Sequence, residues 1–144
     1  MKSIIIILAV YILSVLNIYG QDVKKCDVTV VLFTKTNVGH LTQKEIKKFL
    51  LTFGQECRNN AEFSEFSNEV LFLVMDKQTE LIFGTIEKER TTIELSAILR
   101  EIGNPIHDLM DLEEILVKVE NFKMDRQLRN DIIERLKSAI SNLN

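Results

Sequence analysis

Three short apolar runs along the chain have the composition of β-strands. Residues 27–34, 69–75 and 80–86 are rich in β-branched, aromatic and other large apolar side chains, and polar residues bound each run. Runs of this length and composition predict strands. A polar turn at 76–79 joins the second run to the third, which predicts a hairpin.

A helical pattern follows the first run. Thr42 and Glu45 have the spacing of a capping box. In this motif the threonine hydroxyl accepts a hydrogen bond from the glutamate backbone amide, and the glutamate carboxylate accepts one from the threonine backbone amide. Apolar residues then recur at intervals of three and four as far as Cys57. We therefore expect a helix over 42–57.

The C-terminal half has helical periodicity throughout. Thr91 and Glu94 form a second potential capping box, and a Gly-Asn-Pro sequence at 103–105 separates this helix from the next. The middle helix carries an apolar stripe at 3-4-3 spacing, which consists of Leu109, Leu112, Leu116 and Val119. After a break near 123–125, a last helix is expected to turn inward Leu128, Ile132, Leu136, Ala139 and Leu143.

The element order is therefore β-α-β-β-α-α-α. It predicts a two-layer α+β fold, with a small three-stranded sheet, helices packed on one face of that sheet and a helical C-terminal half. The domain prediction is a signal peptide at 1–20 followed by a single α+β domain at 21–144.

The N-terminus has the three parts of a secretory signal. Lys2 supplies a positive charge, the run from Ile4 to Tyr19 is almost wholly apolar, and Gly20 offers a small residue for cleavage. That run is shorter than the roughly 20 residues that a membrane-spanning helix needs. We expect cleavage after Gly20 and a secreted or periplasmic location, with an uncleaved membrane anchor as the alternative.

The charge distribution argues against nucleic acid as a partner. The formal net charge of the chain is −3, and it becomes −4 once Lys2 leaves with the signal peptide. Acidic and basic residues are interspersed, so no basic face is expected. No further membrane span is expected after cleavage, because the longest later apolar run is only of strand length.

The two cysteines predict one disulfide. Cys26 and Cys57 both follow the predicted signal, and paired cysteines are typical of exported proteins. A strand that rises from Cys26 and a helix that returns to Cys57 would bring the two sulfurs to the same end of the unit. The alternative is that Cys57 is a small buried apolar residue.

One loop has residues suited to a small anion. It lies between the first predicted strand and a capped helix, and it contains Lys35, Thr36, Asn37 and His40. Backbone amides and the dipole at a helix start favour negative charge. A plain connecting loop is the competing interpretation, since the spacing is not that of a phosphate loop.

No other set of residues indicates catalysis or a cofactor. The chain has no Gly-X-Ser-X-Gly sequence around a nucleophile. His107, Asp111 and Glu114 share one helix face, but acidic residues near a helix start have a simpler electrostatic explanation. We therefore predict no metal and no cofactor.

These observations predict an exported, non-catalytic domain that binds another protein or itself. The predicted interaction surface is the stripe of Leu109, Leu112, Leu116 and Val119. The alternative is a small-anion binding protein, or a hydrolase of unrecognised type, that uses the loop at 35–40.

Overall fold

Seven α-helices build the part of the chain that this computed structural model describes, residues 24–106 and 111–143, and this part contains no β-strand. The predicted α+β fold with its three-stranded sheet is therefore wrong. The helices are α1 Val28–Thr36, α2 Gln43–Leu51, α3 Ala61–Lys77, α4 Thr79–Glu89, α5 Leu95–Ile102, α6 Leu112–Asn121 and α7 Arg126–Leu143.

The first predicted strand is helix α1. Asp27 caps it, since its carboxylate accepts hydrogen bonds from the backbone amides of Thr29 at 2.9 Å and Val30 at 3.4 Å. Such a cap satisfies amides that have no partner within the helix. This local contribution favours a helix despite the many β-branched residues, whose helix propensity is only modestly low.

The second and third predicted strands are parts of α3 and α4. Asn60 caps α3 by accepting a hydrogen bond from the amide of Phe63, so the helix begins well before the apolar run at 69–75. Helix α3 is buried on most of its circumference. A helix surrounded by other helices shows a nearly continuous apolar run, which resembles a central strand in sequence.

The capping box at the start of α2 is confirmed. The Thr42 hydroxyl accepts from the amide of Glu45, and the Glu45 carboxylate accepts from the amide of Thr42 at 2.7 Å. The helix is shorter than predicted, because it ends at Leu51. Cys57 lies beyond it, in a 3₁₀ turn at Gln55–Asn59.

The C-terminal helices agree more closely with the sequence patterns. Helix α5 begins at Leu95, after the predicted start at Thr91, and Gly103 is its C-cap residue. The break near 123–125 and the last helix are confirmed. Of the side chains expected to turn inward, Leu128, Ile132, Leu136 and Ala139 are buried in α7, and the side chain of Leu143 lies outside the described part.

The buried side chains form one cluster around α3. Helix α3 packs against α1, α4, α5 and α6, whereas α2 packs against α1 and α4. Helix α7 covers α5 and α6. The largest fully buried side chains include Phe49, Phe63, Phe72 and Phe83. This central position of α3 places its C-terminal end against α4 and α6, where a surface groove forms.

The predicted disulfide between Cys26 and Cys57 is present, with a distance of 5.5 Å between the Cα atoms. Its geometric origin differs from the prediction. Helices α1 and α2 have nine residues each, and the start of α1 lies beside the end of α2. The amide of Cys26 donates to the carbonyl of Thr52 at 2.8 Å, which fixes this junction.

The predicted signal peptide at 1–20 lies outside the described residues. Within 24–106 and 111–143, no helix has both the length and the apolar character needed to cross a membrane.

Candidate functional site

The predicted anion loop belongs mainly to helix α1 and its C-terminal cap. Lys35 and Thr36 lie in the last turn of α1, and Asn37 is its C-cap residue. The Lys35 ammonium lies 2.6 Å from a carboxylate oxygen of Glu69 and 5.2 Å from the centre of the Phe66 ring. Its charge is therefore already paired within the protein.

The other side chains of this loop do not converge on a common point. The Thr36 hydroxyl and the Asn37 amide both donate to the carbonyl of Phe33, at 3.0 and 2.8 Å. His40 is exposed. The prediction assumed that the loop follows a strand, whereas it follows the C-terminal end of a helix, where the dipole disfavours anions.

The start of α2 is also unsuited to an external anion. The Glu45 carboxylate already occupies this position, and hydrogen bonds from the backbone and hydroxyl of Thr42 lower the pKa of Glu45. Gln78 fixes the loop from the other side, because its side chain bonds the amides of Gly39 and Leu41 and the carbonyl of Leu41. No observation favours a ligand at 35–40.

The predicted interaction stripe faces the protein interior. Leu112 and Val119 are buried, and Leu116 is half-buried against the same core. Leu109 lies outside the described residues. The exposed apolar residue of this helix is Val117, with 55% of its surface accessible.

An open groove of about 890 Å³ lies beside Val117. One wall is the corner where α3 ends and α4 begins, and the other is the C-terminal half of α6 and the residues that follow it. Its apolar side chains are Leu81, Val117 and Phe122. The remaining lining residues are polar or charged, namely Lys77, Gln78, Thr79, Glu80, Lys118, Asn121 and Lys123.

One ion pair joins the two walls. The Lys118 ammonium, on α6, lies 2.9 Å from a carboxylate oxygen of Asp76 on α3, and it also donates to the Asp76 carbonyl at 3.1 Å. It lies 2.8 Å from Glu114 as well. The C-terminal end of a helix carries partial negative charge, which attracts the Lys118 ammonium. This attraction favours the observed distance between the two walls.

The same contacts shift the ionisation of both partners. Hydrogen bonds from Lys77 and then from Lys118 lower the pKa of Asp76. Hydrogen bonds to Glu114 and then to Asp76 raise the pKa of Lys118. Asp76 is therefore a carboxylate and Lys118 an ammonium at neutral pH, and each neutralises the other.

The charge left for a ligand comes from other lysines. Lys123 is exposed, and it forms no ion pair with any residue of 24–106 or 111–143. Lys77 pairs with Asp76 but keeps 59% of its side-chain surface accessible. Glu80 is the one acidic residue in the lining. The groove therefore combines apolar side chains with a rim of mixed charge, on which Lys123 is the lysine without an ion pair among the described residues.

The sequence contains a partial signal for this groove. Val117 is two positions from both Ile115 and Val119, so it lies on the opposite face of a helix that buries those two residues. An apolar residue on the solvent side of an amphipathic helix is a candidate contact residue. Its partners across the groove are about 40 residues away in sequence, and no local pattern connects them.

A cluster of metal-binding side chains does not assemble in the described residues. No three His, Cys, Asp or Glu side chains within 24–106 and 111–143 lie close enough to hold a metal ion. Of the set His107, Asp111 and Glu114, His107 lies outside the described residues. Asp111 instead caps α6 by accepting from the amide of Glu114 at 2.9 Å.

Comparison with known proteins assigns no relative to this chain. No protein-family model, no curated protein and no solved structure matches it.

Proposed function

We propose that this protein is an exported, non-catalytic binding domain that holds a segment of another protein in the groove between the α3–α4 corner and α6. The groove itself carries this proposal. Export is supported by the apolar N-terminal run from Ile4 to Tyr19 and by the Cys26–Cys57 disulfide. Disulfides persist in oxidising compartments.

The shape of the groove favours a protein segment over a small molecule. It is open to solvent rather than enclosed, whereas small-molecule sites bury most of the ligand surface. Its walls are fixed by the Lys118–Asp76 contact and by Gln78, so a partner would meet a preformed surface. Preformed surfaces bind with a smaller entropic cost.

The side chains of the groove define the partner's chemistry. Leu81, Val117 and Phe122 offer contact area to an apolar anchor residue. Lys123 would then face a carboxylate next to that anchor. We therefore expect a segment with an apolar side chain flanked by Asp or Glu. Rim charges of this kind contribute more to association rate and specificity than to affinity.

A selection from a random-peptide display library tests the proposal. Peptides are selected on the purified disulfide-bonded domain, and their affinities are then measured for the wild type and for Val117→Glu. We expect enriched peptides to combine apolar and acidic residues. The substitution should weaken their binding by about 30-fold or more, as for the loss of a central contact residue.

Two further variants separate the contributions of the groove. Lys123→Gln should weaken binding by only about 2- to 5-fold and reduce its dependence on salt. Leu32→Glu, at a comparably exposed apolar position on α1, is the matched control and should leave binding unchanged. Selected peptides that bind Val117→Glu as well as wild type would contradict the proposal, as would a selection that enriches none.

A further inference from the structure

The outer face of α1 presents apolar side chains to solvent. Val28, Leu32 and Phe33 are 41%, 53% and 47% exposed, and the first two lie one helical turn apart. Surface helices normally present polar residues to water, so this face is suited to contact with another surface. Apolar residues at this spacing are typical of a helix that binds in a groove of a partner protein.

The Asp27 carboxylate adds a negative charge at the N-terminal end of this face. Its Oδ1 atom accepts from the backbone amides of Thr29 and Val30 and from the Thr29 hydroxyl, the last at 2.6 Å. The hydrogen bond from the Thr29 hydroxyl, followed by those from the amides, lowers the pKa of Asp27, so this group is a carboxylate at neutral pH. The exposed Lys24 ammonium contributes to the same shift and therefore lies near it. No residue of 24–106 or 111–143 donates to the Oδ2 atom, which is thus available to a donor on a partner.

The groove between the α3–α4 corner and α6 has features that match this face. It offers apolar side chains, and Lys123 on its rim is exposed and forms no ion pair among the described residues. Such a groove suits an apolar anchor next to a carboxylate, and α1 presents Leu32 and Asp27 in that combination. The acidic residue of the groove lining, Glu80, has the charge opposite to that of Lys24. The two surfaces of this one chain are therefore complementary in polarity and in charge.

We infer that the outer face of α1 in one molecule binds in the groove of a second copy of the chain, with Asp27 of the first copy beside Lys123 of the second. This inference rests on the proposed function, because it names the segment that the groove holds. Leu32 and Val117 are each more than half exposed in a single molecule, so the contact forms between molecules. The two surfaces differ, and a pair of molecules therefore keeps one free α1 face and one free groove. The association is head-to-tail and can continue beyond a dimer.

The size of α1 limits the strength of each contact. A helix of nine residues is about 14 Å long. Stable interfaces bury about 800 Å² on each partner, and one face of so short a helix provides less. We therefore expect a weak, reversible contact with a dissociation constant of about 100 micromolar. Well below that concentration the grooves are free, so Leu32→Glu leaves peptide binding unchanged.

Sedimentation equilibrium of the disulfide-bonded domain tests the inference with two variants that each lack one surface. The mass of the wild type should rise with concentration beyond that of a dimer. Leu32→Glu alters the α1 face and Val117→Glu alters the groove, and each should raise the dissociation constant by at least about 30-fold when studied alone. An equimolar mixture of the two variants should nevertheless form a heterodimer with the affinity of the wild-type contact. One variant keeps an intact groove, and the other keeps an intact α1 face.

A charge-reversal experiment tests the orientation of the contact. Lys123→Glu places a negative charge opposite Asp27 and should weaken association by about 5-fold or more. Asp27→Asn keeps a side chain that caps α1 but removes its charge. It should weaken association by about 2- to 5-fold in the wild type and strengthen it in the Lys123→Glu background. The same effect of Asp27→Asn in both backgrounds would contradict the placement of Asp27 beside Lys123.

Two results would overturn the inference as a whole. One is a wild type that stays monomeric up to about millimolar concentration, and the other is a mixture of Leu32→Glu and Val117→Glu that forms no heterodimer. Neither result affects the peptides selected on the groove, which are measured at concentrations where the domain is monomeric. The proposed function therefore fails only in the peptide selection, and the two proposals fail separately.

Discussion

At the scale of single residues, buried Asn68 makes four hydrogen bonds to residues far away in sequence. Only 1% of its surface is exposed. Its amide group donates to the carbonyls of Glu101 and Asn104 at 3.1 Å and to the Glu101 carboxylate at 3.2 Å, while its oxygen accepts from the amide of Ile106. One side chain thus joins α3 to the end of α5 and to the residues after it.

We expect Asn68→Ala to lower the free energy of unfolding by about 2–4 kcal/mol. The substitution removes a buried side chain together with its hydrogen bonds to Glu101, Asn104 and Ile106, and loss of such a network is a recognised cause of large destabilisation. Urea denaturation of the variant measures the loss. Asn121→Ala is the control, because Asn121 is exposed and bonds only within its own helix, and its effect should stay within about 0.5 kcal/mol.

Asp76 gives the stability of the protein a dependence on acid pH. Its pKa is lowered in the folded state by Lys77 and Lys118, so the unfolded state binds the proton more readily. The stabilisation is therefore complete above the ordinary carboxyl pKa of about 3.9, and it is lost as pH falls through the lower folded value.

Asp76→Asn should remove this part of the pH dependence. We expect the variant to be less stable than wild type by about 1 kcal/mol or less at pH 6, since both side chains are partly exposed. The difference should shrink towards zero as pH falls below the ordinary carboxyl range. Denaturant curves at a series of pH values provide the measurement, and a difference that stays constant with pH would show that Asp76 does not act through its charge.

At the scale of helices, short-range signals predicted α2 better than the apolar runs predicted α1, α3 and α4. The capping box of Thr42 and Glu45 depends only on residues three apart, so the sequence contains all of it. The apolar runs have no such local determinant. Helix α3 is apolar on most sides because other helices surround it, and α1 carries exposed apolar side chains, Leu32 and Phe33 among them, on its outer face.

The caps that distinguish these helices from strands are single residues. Asp27 and Asn60 each precede an apolar or mixed segment, and each bonds backbone amides of the first turn. Asp and Asn are also common in turns between strands, so their presence alone does not decide between the two structures. Helix α3 has 17 residues, a length typical of helices and not of strands. The apolar run at 69–75 shows only part of that length, because the helix begins at Ala61.

Removal of the cap of α2 gives a test at this scale. Thr42→Ala should destabilise the protein by about 1 kcal/mol, because the hydroxyl that accepts from the amide of Glu45 and donates to the Glu45 carboxylate is removed. Thermal unfolding compares this variant with Thr91→Ala, an exposed threonine in a turn. If both substitutions have the same effect, the capping box does not contribute to stability.

At the scale of the whole molecule, the disulfide was predictable and the groove was not. Two cysteines after an apolar N-terminal run have one possible intramolecular pairing, whatever the elements between them. The groove needs the corner at Gln78 and the exposed side of α6 at the same place. That placement depends on how α3 packs against α4 and α6. Local sequence patterns, which describe one segment at a time, do not predict this packing.

Loss of the Cys26–Cys57 bond should have a large effect on global stability. The two cysteines are 31 residues apart, and closure of a loop of this length contributes about 4 kcal/mol through the lost entropy of the unfolded chain. Denaturant unfolding with and without a reductant measures this. The double variant Cys26→Ser/Cys57→Ser should show the same loss and no response to reductant. Equal midpoints for reduced and oxidised wild type would refute the expectation.

The position of the disulfide also determines how the chain transmits mechanical force. A pull applied through the residues before Cys26 passes directly across the bond to Cys57, and so bypasses α1 and α2. Those helices lie within a covalent ring that tension on the chain ends cannot extend. When the bond is reduced, the fully stretched chain should lengthen by about 100 Å, the contour of the released segment. Single-molecule stretching with and without reductant would show this step.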